Sequence, residues 1–155
     1  MAGQVPGGDG NVSERIGELL RTYGLRRTVP RIAVLVAIEP IHGHLSVADI
    51  HQRLMKTAAD DAQAPDLATV YRTVTTLVEH GVLHALTLEN GIATYGLAKD
   101  PHHHAICSRC GDIIEIPASR LARALRSARE ASSFKLSDEA GLTLHGLCPQ
   151  CQNTP

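Results

Sequence analysis

Between Asp100 and Ile116 the sequence DPHHHAICSRCGDIIEI places His102, His103 and His104 just before Cys107 and Cys110, on a run that otherwise alternates like a strand. Imidazole and thiolate are the donors zinc and its neighbours prefer, so the stretch poses a choice between one metal site and two. All four cysteines of the chain fall in two Cys-x-x-Cys pairs, Cys107/Cys110 and Cys148/Cys151, with the 37 residues from Gly111 to Leu147 between them. Each pair ends an expected strand. If those strands share a sheet, the four sulfurs meet as a closed tetrahedral zinc site, structural in type because no coordination position stays open. A redox motif of the thioredoxin kind comes singly and opens a helix, and four unrelated thiols would have no reason to pair.

The histidines then belong to something else. On a strand His102 and His104 share one face and His103 takes the other, so only the first two can share a metal and His103 is expected to be dispensable. Partners for them exist in Glu115 on the neighbouring strand, His44 before the third helix and His84 at the start of a hairpin. Such a His/carboxylate set at a junction between two halves has the geometry of a sensor. Exposed histidines holding no metal are the other reading of the same spacing.

The elements that must carry these side chains can be read from local signals. From Ser13, a candidate N-cap, Ile16, Leu19, Leu20 and Tyr23 recur at helical spacing until Gly24. Thr28 and Pro30 open a second helix with Ile32, Val34, Leu35, Val36 and Ile38 on its buried side, and Glu39-Pro40 stops it. Ser46 caps a third helix with Ile50 and Leu54 inward. DLATVYRTVTTLVEHG gives a fourth, whose stripe is Leu67, Val70, Val74, Leu77 and Val78 and whose stop is Gly81. VLHALTLENGIATYGL alternates on both sides of Glu89-Asn90-Gly91 and is a hairpin. Helices followed by a two-stranded ribbon are the order of a winged helix-turn-helix, whose fourth helix would enter the major groove. Its outer face, Thr69, Tyr71, Arg72, Thr73, Thr75 and Thr76, suits phosphate and base-edge contacts; a solvated helix of a generic α/β domain is the alternative. Beyond the knuckle, residues 117–132 form an amphipathic helix with Leu121, Ala124, Leu125 and Ala128 inward, and Leu142 to Leu147 a last strand.

With 155 residues, 43% of them hydrophobic, the chain can fold as one ordinary domain or two small ones. One Phe, three Tyr and no Trp leave the core to Leu, Ile, Val and Ala. A formal net charge of -1 provides no global attraction to nucleic acid, so any DNA contact is local. Residues 1–12 read as a flexible arm and not as a signal peptide, and no apolar run approaches a membrane span, so a cytoplasmic protein without membrane partner is expected.

Together, LRRTVPR at Leu25 to Arg31, DLATVYRTVTTL at Asp66 to Leu77, and HHHAICSRCG with the terminal CPQC give the stretch from Ser13 to Cys151 a specific resemblance to the ferric uptake regulator family of bacterial metal-dependent repressors. The resemblance implies an α+β fold: a winged-helix DNA-binding domain over 13–96, a hinge over 97–101, and a C-terminal α/β dimerisation and metal-binding domain over 102–155. It implies a homodimer, an A·T-rich inverted-repeat operator, and repression when metal is bound. Cys107, Cys110, Cys148 and Cys151 match the family's structural zinc ligands. His44, His102, His104 and Glu115 match its regulatory ligands, with His84 as an additional candidate. Tyr71, Arg72 and Thr69 fall on the recognition helix, and Arg26 and Arg27 in the basic segment before the second helix.

Departures from the family pattern bear on the metal. Gly96 stands where iron and manganese members carry a carboxylate, no cysteine precedes the histidine run as in zinc members, and Ala140 stands where an auxiliary site needs a histidine. Three histidines with Glu115 suit Zn(II), and Fe(II) accepts the same set with water in an open position. Zinc is therefore the expected regulatory metal, with an iron- or manganese-dependent peroxide-sensing repressor as the alternative. A zinc hydrolase with Glu115 as base would want a motif such as His-Glu-x-x-His, which is missing, and a metal-storage protein would need no recognition helix. No enzyme activity and no small organic substrate is expected.

Overall fold

Thr22 ends the first helix because Gly24, at φ +69°, turns the chain left-handed. Its N–H then reaches the Arg21 carbonyl at 3.0 Å and that of Leu25 reaches Leu20 at 2.8 Å, the paired closure of a Schellman motif. Gly81 ends the fourth helix the same way, with Gly81 bonded to Val78 and Val82 to Leu77. This architecture comes from a computed structural model that describes residues 9–41, 43–58, 63–99, 101–135 and 141–153. The chain divides into two compact units between Ala98 and Lys99.

The N-terminal unit runs α1 (Asp9–Thr22), α2 (Val29–Ile38), β1 (Leu45–Ser46), α3 (Val47–Thr57), α4 (Leu67–Glu79), β2 (Leu83–Thr87) and β3 (Ala93–Leu97). Ser46 and Asp49 form a reciprocal capping box on α3, and Asp66 accepts the Thr69 N–H at 2.7 Å to start α4. The Thr69 hydroxyl first, and then this N–H, hold the Asp66 carboxyl below its ordinary range by hydrogen bonding to it. Leu20, Leu35, Ile38, Ile50, Val74 and Leu77 are fully buried and bind the helices into one apolar core. Four expectations shift. The first helix begins at Asp9, so Ser13 lies inside it and its hydroxyl accepts from Arg27 at 2.8 Å instead of capping; residues 1–8 of the expected arm lie outside the described residues. Val36 and Leu67 are exposed, because α2 and α4 bury narrower stripes than their apolar residues allow. The ribbon gains β1 on the far side of β3, giving a three-stranded sheet of order β1-β3-β2 with Leu45 opposite Tyr95.

The C-terminal unit holds β4 (His102–Cys107), β5 (Ile113–Pro117), α5 (Ala118–Ala131), β6 (Thr143–Gly146) and α6 (Pro149–Gln152). Its sheet has the order β5-β4-β6, antiparallel between β5 and β4 and parallel between β4 and β6. The central strand therefore carries the histidines, and both its ends are fixed by neighbours. Leu121 and Leu125 are half-buried, whereas Ala124 and Ala128 are exposed and α5 buries no residue completely, a departure from the expected inward face. Ile114, Ala105 and Leu144 align across the three strands on one sheet face, with Ile114 and Leu144 exposed. No helix among the described residues is long and apolar enough to cross a membrane.

Candidate metal centres and nucleic-acid interface

The parallel pairing of β4 with β6 sets Cys107 opposite Gly146, two residues before Cys148, and so brings the two knuckles together. The sulfurs of Cys107, Cys110, Cys148 and Cys151 all lie within 4.8 Å of one another, with Cys110 and Cys148 at 3.7 Å, and no disulfide joins them. A tetrahedral ion with metal–sulfur bonds of about 2.3 Å needs sulfurs about 3.8 Å apart, so the set fits such an ion with little adjustment. Gly111, at φ +76°, makes the knuckle turn by returning its N–H to the Cys107 carbonyl at 2.9 Å. Backbone N–H groups of Cys110 and Cys148 aim at the Cys107 sulfur and draw its pKa down to about 6, which favours its thiolate. Cys151 is pushed up to about 12, first by its hydrogen bond with Cys148 and then by burial. Four crowded thiols resist shared ionisation; a divalent cation removes that resistance and releases their protons.

The imidazoles divide between the two units. In the N-terminal unit, Nε2 of His44 and Nε2 of His84 approach to 2.6 Å, rings edge-to-face at 4.6 Å. Gly96, opposite His84 in the hairpin, makes room for this pair: a Cβ there would lie 3.0 Å from the His44 Nε2 and 3.1 Å from the Gly43 carbonyl. The missing side chain at Gly96 thus leaves the room that the His44 ring takes. In the C-terminal unit His102 and His104 stack edge-to-face at 4.8 Å on one sheet face, Glu115 sits opposite His104, and its Oε1 lies 3.6 Å from His102 Nε2. Cysteines and these imidazoles occupy separate positions, so the histidine-cysteine stretch serves two sets of donors.

His103 corrects an expectation. It does point to the opposite face, yet it is only 3% exposed, and its Nδ1 accepts the Leu142 N–H at 2.9 Å while the His104 N–H holds the Leu142 carbonyl. Consecutive residues of β4 therefore clamp the start of the segment that leads to Cys148. His103→Ala leaves the Leu142 N–H unmatched and should cost the C-terminal unit about 1–3 kcal/mol. In urea titrations the His103→Asn variant, whose amide oxygen can accept the same bond, should regain part of the loss; equal stability of His103→Ala and wild type would exclude the clamp.

On α4, Tyr71 and Arg72 are exposed while Val70, Thr73, Val74 and Leu77 face the core. Thr69 is occupied locally: it donates its N–H to Asp66, its carbonyl receives the Thr73 hydroxyl, and its own hydroxyl receives Arg72 at 3.3 Å. Arg26 and Arg27 are exposed, and the Arg27 guanidinium lies along α1 over Gly17. Leu67, read from the sequence as core, extends the outer face instead. Its position beside the Asp66 cap was the one available signal, since a first-turn residue has fewer helix neighbours to cover it.

A winged-helix unit followed by a unit that gathers cysteine, histidine and carboxylate donors is the arrangement of a metal-responsive DNA-binding transcription regulator. The model of the Ferric uptake regulator family matches residues 22–144, and the chain belongs to that family. It is 33% identical over 135 residues to the ferric uptake regulation protein of Legionella pneumophila, covering 86% of this chain and 96% of that one. With the ferric uptake regulation protein of Bacillus subtilis it shares 32% identity over 146 residues, 91% of this chain and 95% of the relative. Among solved structures, the ferric uptake regulator of Pseudomonas aeruginosa with manganese superimposes with a TM-score of 0.68 at 27% identity, covering 86% and 98% of the two chains.

Proposed function

We propose that the protein is a cytoplasmic, homodimeric repressor that binds an A·T-rich inverted repeat when a regulatory metal is present, and that its four cysteines hold a separate structural zinc. The observation that carries this reading is the split donor set: His44 and His84 converge in the winged-helix unit, and His102, His104 and Glu115 share one face of the other unit's sheet. A metal drawing ligands from both units couples its own binding to their relative orientation. In this scheme residues 13–96 read DNA, 97–101 form the hinge and 102–155 dimerise. Ile114 and Leu144, exposed on either side of Ala105, support a second copy as the occupant of that sheet face, because apolar surface of this kind drives homodimer association.

Zinc is the regulatory metal in this reading. Two imidazoles meet where Gly96 excludes a carboxylate, and a nitrogen-rich set favours Zn(II) over Fe(II). Iron, with or without peroxide sensing, is the second reading, favoured by the relatives named as ferric uptake regulation proteins.

Gel retardation with and without added Zn(II) tests the scheme. Tyr71→Ala and Arg72→Ala should each weaken operator binding by roughly 5- to 150-fold, the value of about 1–3 kcal/mol per base contact, with metal content and dimer state unchanged. Loss of the dimer in Tyr71→Ala would move that residue off the DNA face.

A further inference from the structure

Leu67 is the first residue of α4, yet it stands 50% exposed, with Tyr71 one turn later at 59%. Packing gives no reason for it, since the buried face of α4 is made by Val70, Thr73, Val74 and Leu77. Leu67 instead lines a notch with Ala68, Tyr71, Arg72 and, from the first turn of α3, Val47 and Ala48. No carboxylate lines this notch. Asp66, next to Leu67, commits its side chain to the Thr69 N–H. Arg72 puts a single positive charge at the rim, compatible with duplex DNA and unsuited to a dry apolar protein contact.

A major-groove edge displays donors and acceptors at every base pair but only one apolar group, the C5 methyl of thymine. An apolar notch at the leading turn of a DNA-reading helix complements that methyl and no other feature of a base edge. The geometry points to Leu67, backed by Val47 and Ala48, as a specificity-determining residue that receives a thymine methyl. This rests on α4 being the helix that reads DNA, and it adds to that reading a base preference that hydroxyl groups on the same helix do not supply.

The test uses the full chain with Zn(II) and a duplex selected from a randomised pool. Each thymine is replaced in turn by uracil, which removes one methyl and keeps every hydrogen-bonding group. Binding should fall about fourfold at one thymine in each half-site, the effect of exposing one methyl group. Leu67→Ala should bind the thymine duplex about as weakly as wild type binds the uracil one, and should no longer distinguish the two; Leu67→Met should restore the distinction. A flat uracil scan, or a Leu67→Ala protein that still prefers thymine, overturns the assignment, including in favour of a protein ligand at the notch. If zinc-loaded wild type retains no duplex from the pool, the DNA-reading role of α4 falls first.

Discussion

If the four cysteines hold zinc in a homodimer as proposed, replacing Cys107 or Cys148 with serine will release that zinc and unfold the C-terminal unit, taking the dimer with it. The expectation follows from how little else holds that unit together. Among its described residues only Ile106 and Cys107 are buried hydrophobics, and α5 contributes none. A core so small cannot offset the chain entropy of ordering about fifty residues, and small units of this kind depend on a metal or a partner. Structural zinc supplies on the order of 10 kcal/mol of apparent binding energy, as much as the whole stability of an ordinary domain. The N-terminal unit, with its own buried cluster from Ile16 to Leu83, should keep its helices in the same variants. Metal analysis, sedimentation and circular dichroism on one sample separate these outcomes. Serine variants that stay dimeric with unchanged melting would refute the structural role.

His102→Ala and His104→Ala will abolish metal-dependent DNA binding while each chain keeps its cysteine-bound zinc. Metal can favour the DNA-competent arrangement only through a difference in affinity between arrangements. A difference of about 1–3 kcal/mol changes operator affinity roughly 5- to 150-fold, and that is the factor these variants should lose. Dimeric readers must present two recognition helices at roughly 34 Å, or a multiple, which a bound metal would maintain and a free hinge would not. One residue of the expected hinge, Asp100, lies outside the described residues. His44→Ala and His84→Ala sort the metals. Damage from His84→Ala equal to that from His102→Ala, with His44→Ala mild, supports the zinc arrangement, and the reverse supports iron. Full operator binding by protein stripped of regulatory metal, with the cysteine zinc retained, would end the switch hypothesis.

Short-range rules are what the amino-acid sequence settled by itself. Gly24 and Gly81 stop helices because only glycine turns left-handed without strain, Asp66 and Ser46 start them because a side-chain oxygen answers orphan N–H groups, and Asn90-Gly91 turns the hairpin. The cysteine knuckles were legible for the same reason, since each is complete within four residues. Tertiary structure decided the questions in which a neighbour from elsewhere takes part. Helical periodicity gives Leu67 and Val36 an apolar side but cannot say how far another element covers it, and among the described residues both stay exposed. Strand alternation turns His103 away from the metal face but does not reveal that the Leu142 N–H, 39 residues later, waits there. Nothing local to Gly96 shows that its missing side chain accommodates His44. The distance between His44 and His84 is fixed by β1 pairing to a hairpin 40 residues away, and a contact across that much chain is determined by the packing of the whole unit.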